Sequence, residues 1–374
     1  MKHFLLLLFF LLSLPCRFNA QESSLTDTIA GDTLHTLRKI TLLFAGDLMQ
    51  HQGQIDAARI FGNGYDYTEC FKYVKKEISK ADVAIANLEV TLAGTPYTGY
   101  PQFSAPDEYL TAIKDAGFDI LVTANNHSLD RGKAGLERTI RVLDSLHIPH
   151  AGTYINEEVR ADTYPLVIKQ NGFRISLLNY TYGTNSIQVT APNIVNYIDK
   201  EIIARDIETA KAQQPDAIIV CIHWGDEYQL LPNQTQKELA DWLLSQGVTH
   251  IIGSHPHVVQ PLELHTDTVN NTKHLVVYSL GNFISNMSAP NTDGGLFVKL
   301  ELEKDSVTRV GNCGYSIVWT ARPSIAGVKI HTLFPVDHRL SSEANVRMRR
   351  FAEVARSLFK EYNQGIEEYF FEEK

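Results

Sequence analysis

The chain contains short apolar runs that each end in polar residues. The runs at 217–222 and 248–252 are rich in β-branched side chains, so both are predicted to be buried strands. Between them, apolar residues at helical spacing over 234–246 predict a helix that ends before Gly247. Three histidines follow the two strands: His223, His255 and His257. The pattern predicts a strand-helix-strand unit with imidazoles at both strand exits.

Three more apolar runs, at 40–45, 83–86 and 120–123, show the same pattern nearer the start of the chain. Polar residues follow these runs in turn: Asp47 and His51, then Asn87 and Glu89, then Asn125, Asn126, His127 and Asp130. Ligands of open α/β sheets bind outside the carboxyl ends of the strands. We therefore expect an α/β fold in which these side chains gather at one site.

Each of these residues also has an ordinary explanation. Asp47 could cap the helix that follows it. Asn125, Asn126 and Asp130 could be turn and cap residues. The histidines could be solvated loop residues, which we would favour for one histidine alone. Three imidazoles at two strand exits favour a chemical role, because neutral imidazole is the commonest transition-metal ligand.

The start of the chain has the features of a targeting segment. Lys2 supplies a positive charge, an apolar run covers 4–14, and the small residue Ala20 ends the segment, so 1–20 is predicted to be a signal peptide. The run is too short to span a bilayer comfortably, which favours export over anchoring. Cys16 would permit a lipid anchor, but Pro15 precedes it where a small residue is expected. Residues 21–38 are polar and aperiodic, and they are predicted to be a flexible lead.

Composition excludes some classes of partner and of framework. The chain has 34 basic and 43 acidic residues and a formal net charge of −9, which argues against nucleic acid as a partner. After the signal segment three cysteines remain, Cys70, Cys221 and Cys313, so no disulfide framework is indicated. Cys221 lies inside an apolar run, where a buried structural thiol is favoured over a metal ligand.

The remaining segments predict a single large domain over 39–340. Helices are also predicted at 67–79, 106–116, 135–146 and 199–213, and strands at 175–180 and 275–279. Alternating aromatic and β-branched residues over 295–334 indicate antiparallel strands. Residues 341–374 are predicted to be a helix packed on the domain, with Phe351, Val354, Leu358 and Tyr362 on one face.

Six ordered motifs resemble those of the bacterial capsule-synthesis family of CapA type, which is associated with poly-γ-glutamate. They are Gly-Asp-Leu-Met at 46–49, Ala-Asn-Leu-Glu at 86–89, Ala-Asn-Asn-His-Ser-Leu-Asp at 124–130, His-Trp-Gly-Asp-Glu-Tyr at 223–228, Gly-Ser-His-Pro-His-Val at 253–258 and Tyr-Ser-Leu-Gly-Asn-Phe at 278–283. The resemblance covers 42–284. That family is similar to calcineurin-like metallophosphoesterases, which implies a four-layer α-β-β-α sandwich with two metals at the strand ends.

The resemblance also implies a role for each motif residue. The metal ligands would be Asp47 and His257 at the first metal, Glu89 between the two metals, and Asn126, His223 and His255 at the second. His127 would be the proton donor, with Asn125 and Asp130 as its catalytic neighbours. Residues expected to bind substrate are Asn87, Trp224, Glu227 and Asn282.

Two departures from the metallophosphoesterase pattern bear on the metals. The position two residues after Asp47 is Met49, where the pattern has histidine, and the nearest imidazole is His51. One helical turn separates His51 from Asp47, so we expect His51 near the first metal. The bridging aspartate of the pattern is replaced by Glu89. Both changes are expected to alter metal affinity and preference.

Together these features predict an exported, metal-dependent hydrolase or transferase-like protein, located in the periplasm or at the cell surface. The expected cofactors are two divalent ions of manganese, zinc or iron that activate a water. The expected partners are a poly-γ-glutamate-like polymer or another envelope substrate, and a membrane capsule-synthesis complex. Two alternatives remain: a non-catalytic assembly or export partner, and a phosphoesterase acting on an envelope phosphate compound.

Overall fold

A computed structural model describes residues 37–62, 64–267 and 272–371. The strands in these ranges are β1 (Arg38–Leu48), β2 (Val83–Leu88), β3 (Ile120–Val122), β4 (His150–Ala151), β5 (Thr153–Tyr154), β6 (Leu166–Gln170), β7 (Phe173–Thr181), β8 (Ile194–Val195), β9 (Ala217–His223), β10 (His250–Ser254), β11 (Leu262–Asp267), β12 (Thr272–Val277), β13 (Asn282–Ile284), β14 (Gly294–Lys304), β15 (Thr308–Ala321), β16 (Thr332–Pro335) and β17 (Glu367–Glu368). The helices are α1 (Gln52–Ala58), α2 (Lys75–Ile78), α3 (Asp107–Ala116), α4 (Gly132–Ser145), α5 (Glu157–Thr163), α6 (Lys200–Ala212), α7 (Gln234–Ser245), α8 (Pro323–Ala326) and α9 (Ser342–Tyr362), and a 3-10 helix covers Thr68–Phe71.

The larger sheet has the strand order β16-β15-β14-β1-β2-β3-β4, with β13 paired to β1 and β17 paired to β15. Strands β1 to β4 are parallel, whereas β14 runs antiparallel to β1 and continues the sheet through β15 and β16. The carboxyl ends of β1, β2 and β3 therefore lie side by side. Residues Asp47 and Asn87 are partners across β1 and β2.

The smaller sheet has the order β11-β12-β10-β9-β7-β6. Its central strands β7, β9, β10 and β12 are parallel, and the two edge strands are antiparallel to their neighbours. His223 is aligned with Thr181 on one side and Ser254 on the other. Three strand exits are thus adjacent in this sheet too.

The two sheets face each other, and helices cover their outer faces. Side chains alternate along β1, so Leu42 and Phe44 join an apolar core with residues of the smaller sheet, such as Ile219. The intervening residue Leu43 joins an outer core with α3. The opposite outer core packs α6 and α7 on the smaller sheet. The predicted four-layer α-β-β-α architecture is confirmed.

One helix prediction was wrong. Over 67–79 the structure has the 3-10 helix Thr68–Phe71 and the single turn α2. The buried side chains Phe71 and Val74 keep the apolar spacing that predicted a helix. Asp66 accepts hydrogen bonds from the backbone and hydroxyl of Thr68, which fixes a turn at the start of the segment. Packing of the side chains, rather than continuous helical hydrogen bonds, holds this segment.

The helix predicted for the C-terminal segment is shorter than expected. Helix α9 ends at Tyr362, and β17 then pairs in parallel with β15. The helix ends because Asn363 turns away, and its Oδ1 accepts the backbone N–H of Leu262 at 2.8 Å. The buried face is also shifted, since Phe359 is buried against Tyr315, with ring centroids 4.8 Å apart, whereas Tyr362 is exposed.

The predicted signal peptide at 1–20 lies outside the described residues, as does nearly all of the lead at 21–38. The last residue of that lead, Arg38, begins β1. These segments and the domain limits at 39–340 and 341–374 stay predictions. Within the ranges that the structure describes, no helix combines the length and apolarity needed to cross a membrane.

Candidate functional site

A buried cluster of ligand-type side chains lies where the strand exits of the two sheets meet. From the larger sheet come the fully buried carboxylates Asp47, at the end of β1, and Glu89, after β2. His257 Nδ1 lies 3.6 Å from Asp47 Oδ2, and its Nε2 lies 3.9 Å from Glu89 Oε1. One ligand atom from each of these three residues falls within 4.8 Å of the others. The three side chains therefore have the spacing of a metal site.

The rest of the cluster continues from Glu89 toward the smaller sheet. Glu89 Oε1 lies 3.7 Å from His223 Nε2, and the same nitrogen lies 2.8 Å from Asn126 Oδ1. The rings of His223 and His255 have centroids 4.8 Å apart. The structure thus brings together six of the residues for which the sequence suggested metal binding.

Close backbone approaches determine where the carboxylates and histidines emerge. A Cβ on Gly46 would lie 2.0 Å from the carbonyl oxygen of Gly281, so only glycine allows β1 to approach that residue. The approach lets the backbone N–H of Asp47 donate to Gly281 O at 3.0 Å. The residues of the histidine turn are strained, because His255 and His257 have φ of 100° and 59°. Such conformations cost about 1–3 kcal/mol each and cluster at functional sites.

The electrostatics of the cluster call for a cation. Burial, and next the charge of Asp47, raise the pKa of the Glu89 carboxyl well above its usual range. Burial lowers the pKa of His255 to about 3 and that of His223 well below its usual value, so both imidazoles are neutral near pH 7. A bound cation would therefore favour the ionised form of the buried Glu89 carboxyl, which the neutral imidazoles of His223 and His255 do not.

Three atoms of this cluster also lack hydrogen-bond partners, although they are buried. They are Asp47 Oδ2, Glu89 Oε1 and His255 Nδ1. Buried polar atoms are normally paired or coordinated, since an unpaired one keeps its full desolvation cost. Carboxylate oxygens with imidazole nitrogens form a donor set that suits divalent manganese, iron or zinc. The residues present therefore fit a metal centre.

Asn87 and Asn125 form a chain of hydrogen bonds that holds the Asp47 carboxylate in place. Asn87 Nδ2 donates to Asp47 Oδ1 at 2.8 Å, and its Oδ1 accepts from Asn125 Nδ2 at 3.1 Å. Asn125 Nδ2 also donates to Leu88 O, and its Oδ1 accepts the backbone N–H of His127. Both amides are buried and engaged with protein groups. The contacts give Asn87 a role in positioning the Asp47 carboxylate, and its expected contact with substrate stays a prediction.

His127 and Asp130 form a buried pair beside the cluster. His127 Nδ1 lies 2.7 Å from Asp130 Oδ2, and the same oxygen accepts the backbone N–H of Phe103 at 2.7 Å. The ring of Phe103 packs edge-on against the imidazole, with centroids 4.5 Å apart. Asp130 thereby fixes the ring and its tautomer, and Nε2 is the nitrogen left for a ligand.

His51 lies beside the cluster, with its Nδ1 already engaged. Its backbone caps α1, and its Nδ1 accepts the backbone N–H of Asn286 at 3.3 Å. Burial lowers the pKa of His51 to about 4, with smaller contributions from His257 and His127. The ring is therefore not in bulk solvent, but among the described residues it is absent from both groups of closely spaced ligand atoms. A role for His51 at the first metal stays a prediction.

Two other residues expected to bind substrate, Trp224 and Asn282, are both buried but lie in different places. Trp224 is buried in the core under α7, and its indole N–H donates to Tyr278 O at 2.9 Å. It follows His223 in the chain and so projects to the opposite face of the sheet. This placement contradicts the predicted contact with substrate. Asn282 is also buried, and its Oδ1 lies 3.0 Å from His257 Nδ1, which orients that ring.

Glu227 lies on the open side of the cluster. Its side chain is 41% exposed, and its Oε1 lies 3.9 Å from His257 Nε2. Ligand atoms of Glu227, His255 and His257 form a second group within 4.8 Å. Glu227 can therefore contact either an ion or a substrate.

Three residues of the site were missed by the sequence analysis. Tyr182 is half exposed, and its ring centroid lies 4.5 Å from that of His255. Asn185 Oδ1 accepts from Asn126 Nδ2 at 3.2 Å, and Ser254 Oγ lies 2.9 Å from His223 Nδ1. Tyr182 and Asn185 follow the strand predicted at 175–180, so the strand-exit rule would have found them had it been applied there.

Comparison with known proteins agrees with the motifs. The model of a family described as bacterial capsule synthesis protein PGA_cap matches residues 41–287. The capsule biosynthesis protein CapA of Bacillus anthracis is 26% identical over 297 residues, which cover 76% of this chain and 69% of the relative. The PGA biosynthesis protein CapA of Bacillus subtilis (strain 168) is 29% identical over 252 residues, or 64% of this chain and 62% of the relative.

Among solved structures, the NAD nucleotidase NadN of Haemophilus influenzae is similar with a TM-score of 0.48 and 10% sequence identity, over 90% of this chain and 65% of that chain. This likeness is too weak to support an argument about activity. The family model, by contrast, matches well over half of the chain and includes every motif that contributes to the cluster. The chain therefore belongs to the bacterial capsule synthesis protein PGA_cap family.

Proposed function

We propose that this protein is an exported, metal-dependent hydrolase that cleaves a poly-γ-glutamate-like polymer of the cell envelope. The observation that carries the proposal is the group of partnerless buried atoms on Asp47, Glu89 and His255 beside the paired His127 and Asp130. A protein that needed only a binding surface would gain nothing from burying such groups, because each adds a desolvation cost. One Bacillus relative is named a capsule biosynthesis protein and another a PGA biosynthesis protein, and these names are the ground on which we propose the polymer as substrate.

The described residues would hold two divalent ions of manganese, zinc or iron. Asp47 and His257 would hold one, Asn126, His223 and His255 the other, and Glu89 would contact both. When bound, such ions provide a water of lowered pKa and neutralise charge that develops on the reacting group. Asn87 and Asn282 keep the Asp47 carboxylate and the His257 ring in place through their hydrogen bonds.

His127 supplies the proton that the leaving group needs. Because Asp130 accepts the Nδ1–H, the protonated ring directs its Nε2–H away from that carboxylate and can donate it to the departing nitrogen of a γ-glutamyl amide. Phe103 and the buried position of the pair keep bulk water from the Asp130 carboxylate. A membrane capsule-synthesis complex is the partner that we propose for delivery of the polymer.

The test is an assay of purified protein with a γ-linked glutamate oligomer and with a model phosphodiester, each with added manganese, zinc or iron. We expect metal-dependent cleavage of the oligomer. The H127A variant should keep its metal content and fold but lose about 100-fold or more in turnover, the scale of a lost general acid. The matched control is H265A, since His265 pairs with Glu263 on β11 and takes no part in the cluster.

The outcomes separate the alternatives. Cleavage of the phosphodiester alone would make the protein a phosphoesterase. If neither substrate is turned over with any metal, and a strain that carries H127A exports polymer normally, then the enzyme proposal is wrong and the assembly role remains.

A further inference from the structure

Away from the metal-binding cluster, a cavity of about 550 Å³ lies between the loop at 288–293 and helix α9. Three guanidinium groups line it: Arg322 after β15, and Arg347 and Arg350 on α9. Asp293 is the acidic residue in its lining, and its carboxylate accepts the indole N–H of Trp319 at 2.8 Å. The cavity is therefore strongly basic, although the chain as a whole has a net charge of −9.

The three arginines have few anionic partners of their own. Within the described residues, neither Arg322 nor Arg350 forms an ion pair, and Arg347 pairs only with the exposed Glu343 one turn away, at 3.3 Å. Arg322 is half buried and donates to the carbonyl oxygen of Met287. Burial lowers its pKa, and the charge of Asp293, which raises it, offsets this only in part. An anion in the cavity would add to this partial compensation.

The loop that closes the cavity also supports the metal-binding cluster. Asn282, which orients His257, donates from Nδ2 to Thr292 O at 2.9 Å in this loop. The backbone N–H of Asn286, two residues before the loop, donates to His51 Nδ1. The cavity and the cluster are thus joined through one loop. A polymer chain that crosses this loop could contact both.

Building on the proposed function, we propose that the arginine cavity is a binding site for carboxylate groups of the acidic polymer, outside the bond that is cleaved. Guanidinium groups suit this role because they form paired, charge-assisted hydrogen bonds with carboxylates. A γ-linked glutamate chain carries one carboxylate per residue, so neighbouring residues can occupy neighbouring arginines. The site would hold the polymer while another segment lies at the cluster.

The test measures the affinity of a γ-linked glutamate decamer, by calorimetry, for full-length protein loaded with manganese in the H127A background, where turnover is slow. We expect R347Q/R350Q to weaken binding about tenfold, since an exposed charge pair contributes up to about fivefold. The control is R349Q, which removes one positive charge from an exposed position of α9 that does not line the cavity, and the single variants R347Q and R350Q are measured beside it as the charge-matched comparison. R349Q should change affinity less than twofold.

If R347Q/R350Q and R349Q lose equal affinity for the decamer, then the polymer is attracted only by the general positive charge of α9, and the proposed binding site is wrong. Unchanged binding in the double variant would also overturn the site, as would a linear polyphosphate that binds at the arginines more tightly than the decamer. The two proposals fail separately. Turnover by wild-type protein with arginine-independent binding removes only the cavity site, whereas arginine-dependent binding without turnover removes only the hydrolase.

Discussion

At the scale of single residues, Glu227 gives the cluster an acidic group on its open side. The turn that carries it has positive φ at Gly225 and Tyr228, and the backbone N–H of Tyr228 donates to Pro256 O at 2.8 Å. The Glu227 turn is therefore tied directly to the turn that bears His255 and His257. This tie keeps the carboxylate within reach of any ion that those histidines would hold.

The variant E227Q keeps the shape of the side chain and removes its charge. We expect the affinity for a divalent ion to fall about tenfold, because a hydrogen bond or contact with a charged group contributes about 1.5–3 kcal/mol. Competition with a chromophoric chelator measures this affinity. The control E238Q, on the exposed face of α7, should bind metal as the wild type does. An unchanged affinity in E227Q would show that Glu227 is not a metal ligand.

The strand-exit rule located most of the site from the sequence, because polar residues after a buried parallel strand have no other edge to occupy. It could not separate ligands from their supports. Asn87 and Asn125 have the same residue type as Asn126, and only partners distant in sequence, such as Leu88 O for Asn125 and His223 for Asn126, reveal which amide serves which group. The position of Trp224 follows from the side-chain alternation of β9, which continues one residue beyond His223 and turns the indole into the core under α7.

At the scale of elements, the exit of β10 depends on how closely it approaches its neighbours. A Cβ on Gly253 would lie 2.1 Å from Tyr278 O and 2.6 Å from Trp224 Nε1. Neither atom is free to move, since Tyr278 O already accepts the indole N–H. This contact determines the direction in which β10 leads into His255.

We therefore expect G253A to push β10 away from Tyr278 and Trp224. Overpacking of this kind costs about 1–3 kcal/mol, and displacement of His255 should lower metal content as well. Thermal unfolding and elemental analysis measure the two effects. The control is G183A, because a Cβ at Gly183 meets no atom within 4 Å and the backbone there is not left-handed. This variant should keep wild-type stability and metal content. Wild-type metal content in G253A would show that the histidine turn adjusts independently of β10.

Element types were predictable where a strong apolar run was bounded by glycine or polar residues. The strand β9, Ala217–His223, and helix α7, Gln234–Ser245, match their predicted spans to within a residue. The failures at 67–79 and after Tyr362 have a common cause. In both places a side chain accepts a backbone N–H at one end of the segment: Asp66 accepts that of Thr68 at the start of the first, and Asn363 accepts that of Leu262 at the end of α9. Such partners are not visible in helical periodicity.

At the scale of the whole molecule, buried neutral histidines make stability depend on pH. His250 is buried at the start of β10, where its Nδ1 accepts the backbone N–H of Leu275 at 3.1 Å. Burial lowers its pKa to about 3. His265 is the opposite case, because a hydrogen bond to Glu263 raises its pKa.

For His250 the unfolded chain binds a proton below about pH 6.5, whereas the folded protein does so only near pH 3. The stability that the neutral His250 contributes to the folded protein is therefore fully present above pH 6.5 and is lost as the pH falls. Between pH 7 and 5 the wild type should lose about 2 kcal/mol more stability than H250Q. Urea unfolding at the two pH values tests this. For H265Q we expect the reverse, so that the wild type loses less stability than this variant as the pH falls. An equal dependence of the unfolding free energy on pH in wild type and H250Q would contradict the prediction.

The cluster takes its side chains from both sheets: Asp47 and Glu89 from the larger sheet, His223 and His255 from the smaller one. Any ion that they share would thus cross-link the two halves of the sandwich at one edge. The apolar core between the sheets would still hold them after chelation. Removal of metal should then loosen that edge alone, and amide hydrogen exchange would quicken at the carboxyl ends of β1 and β10 before it does at their amino ends.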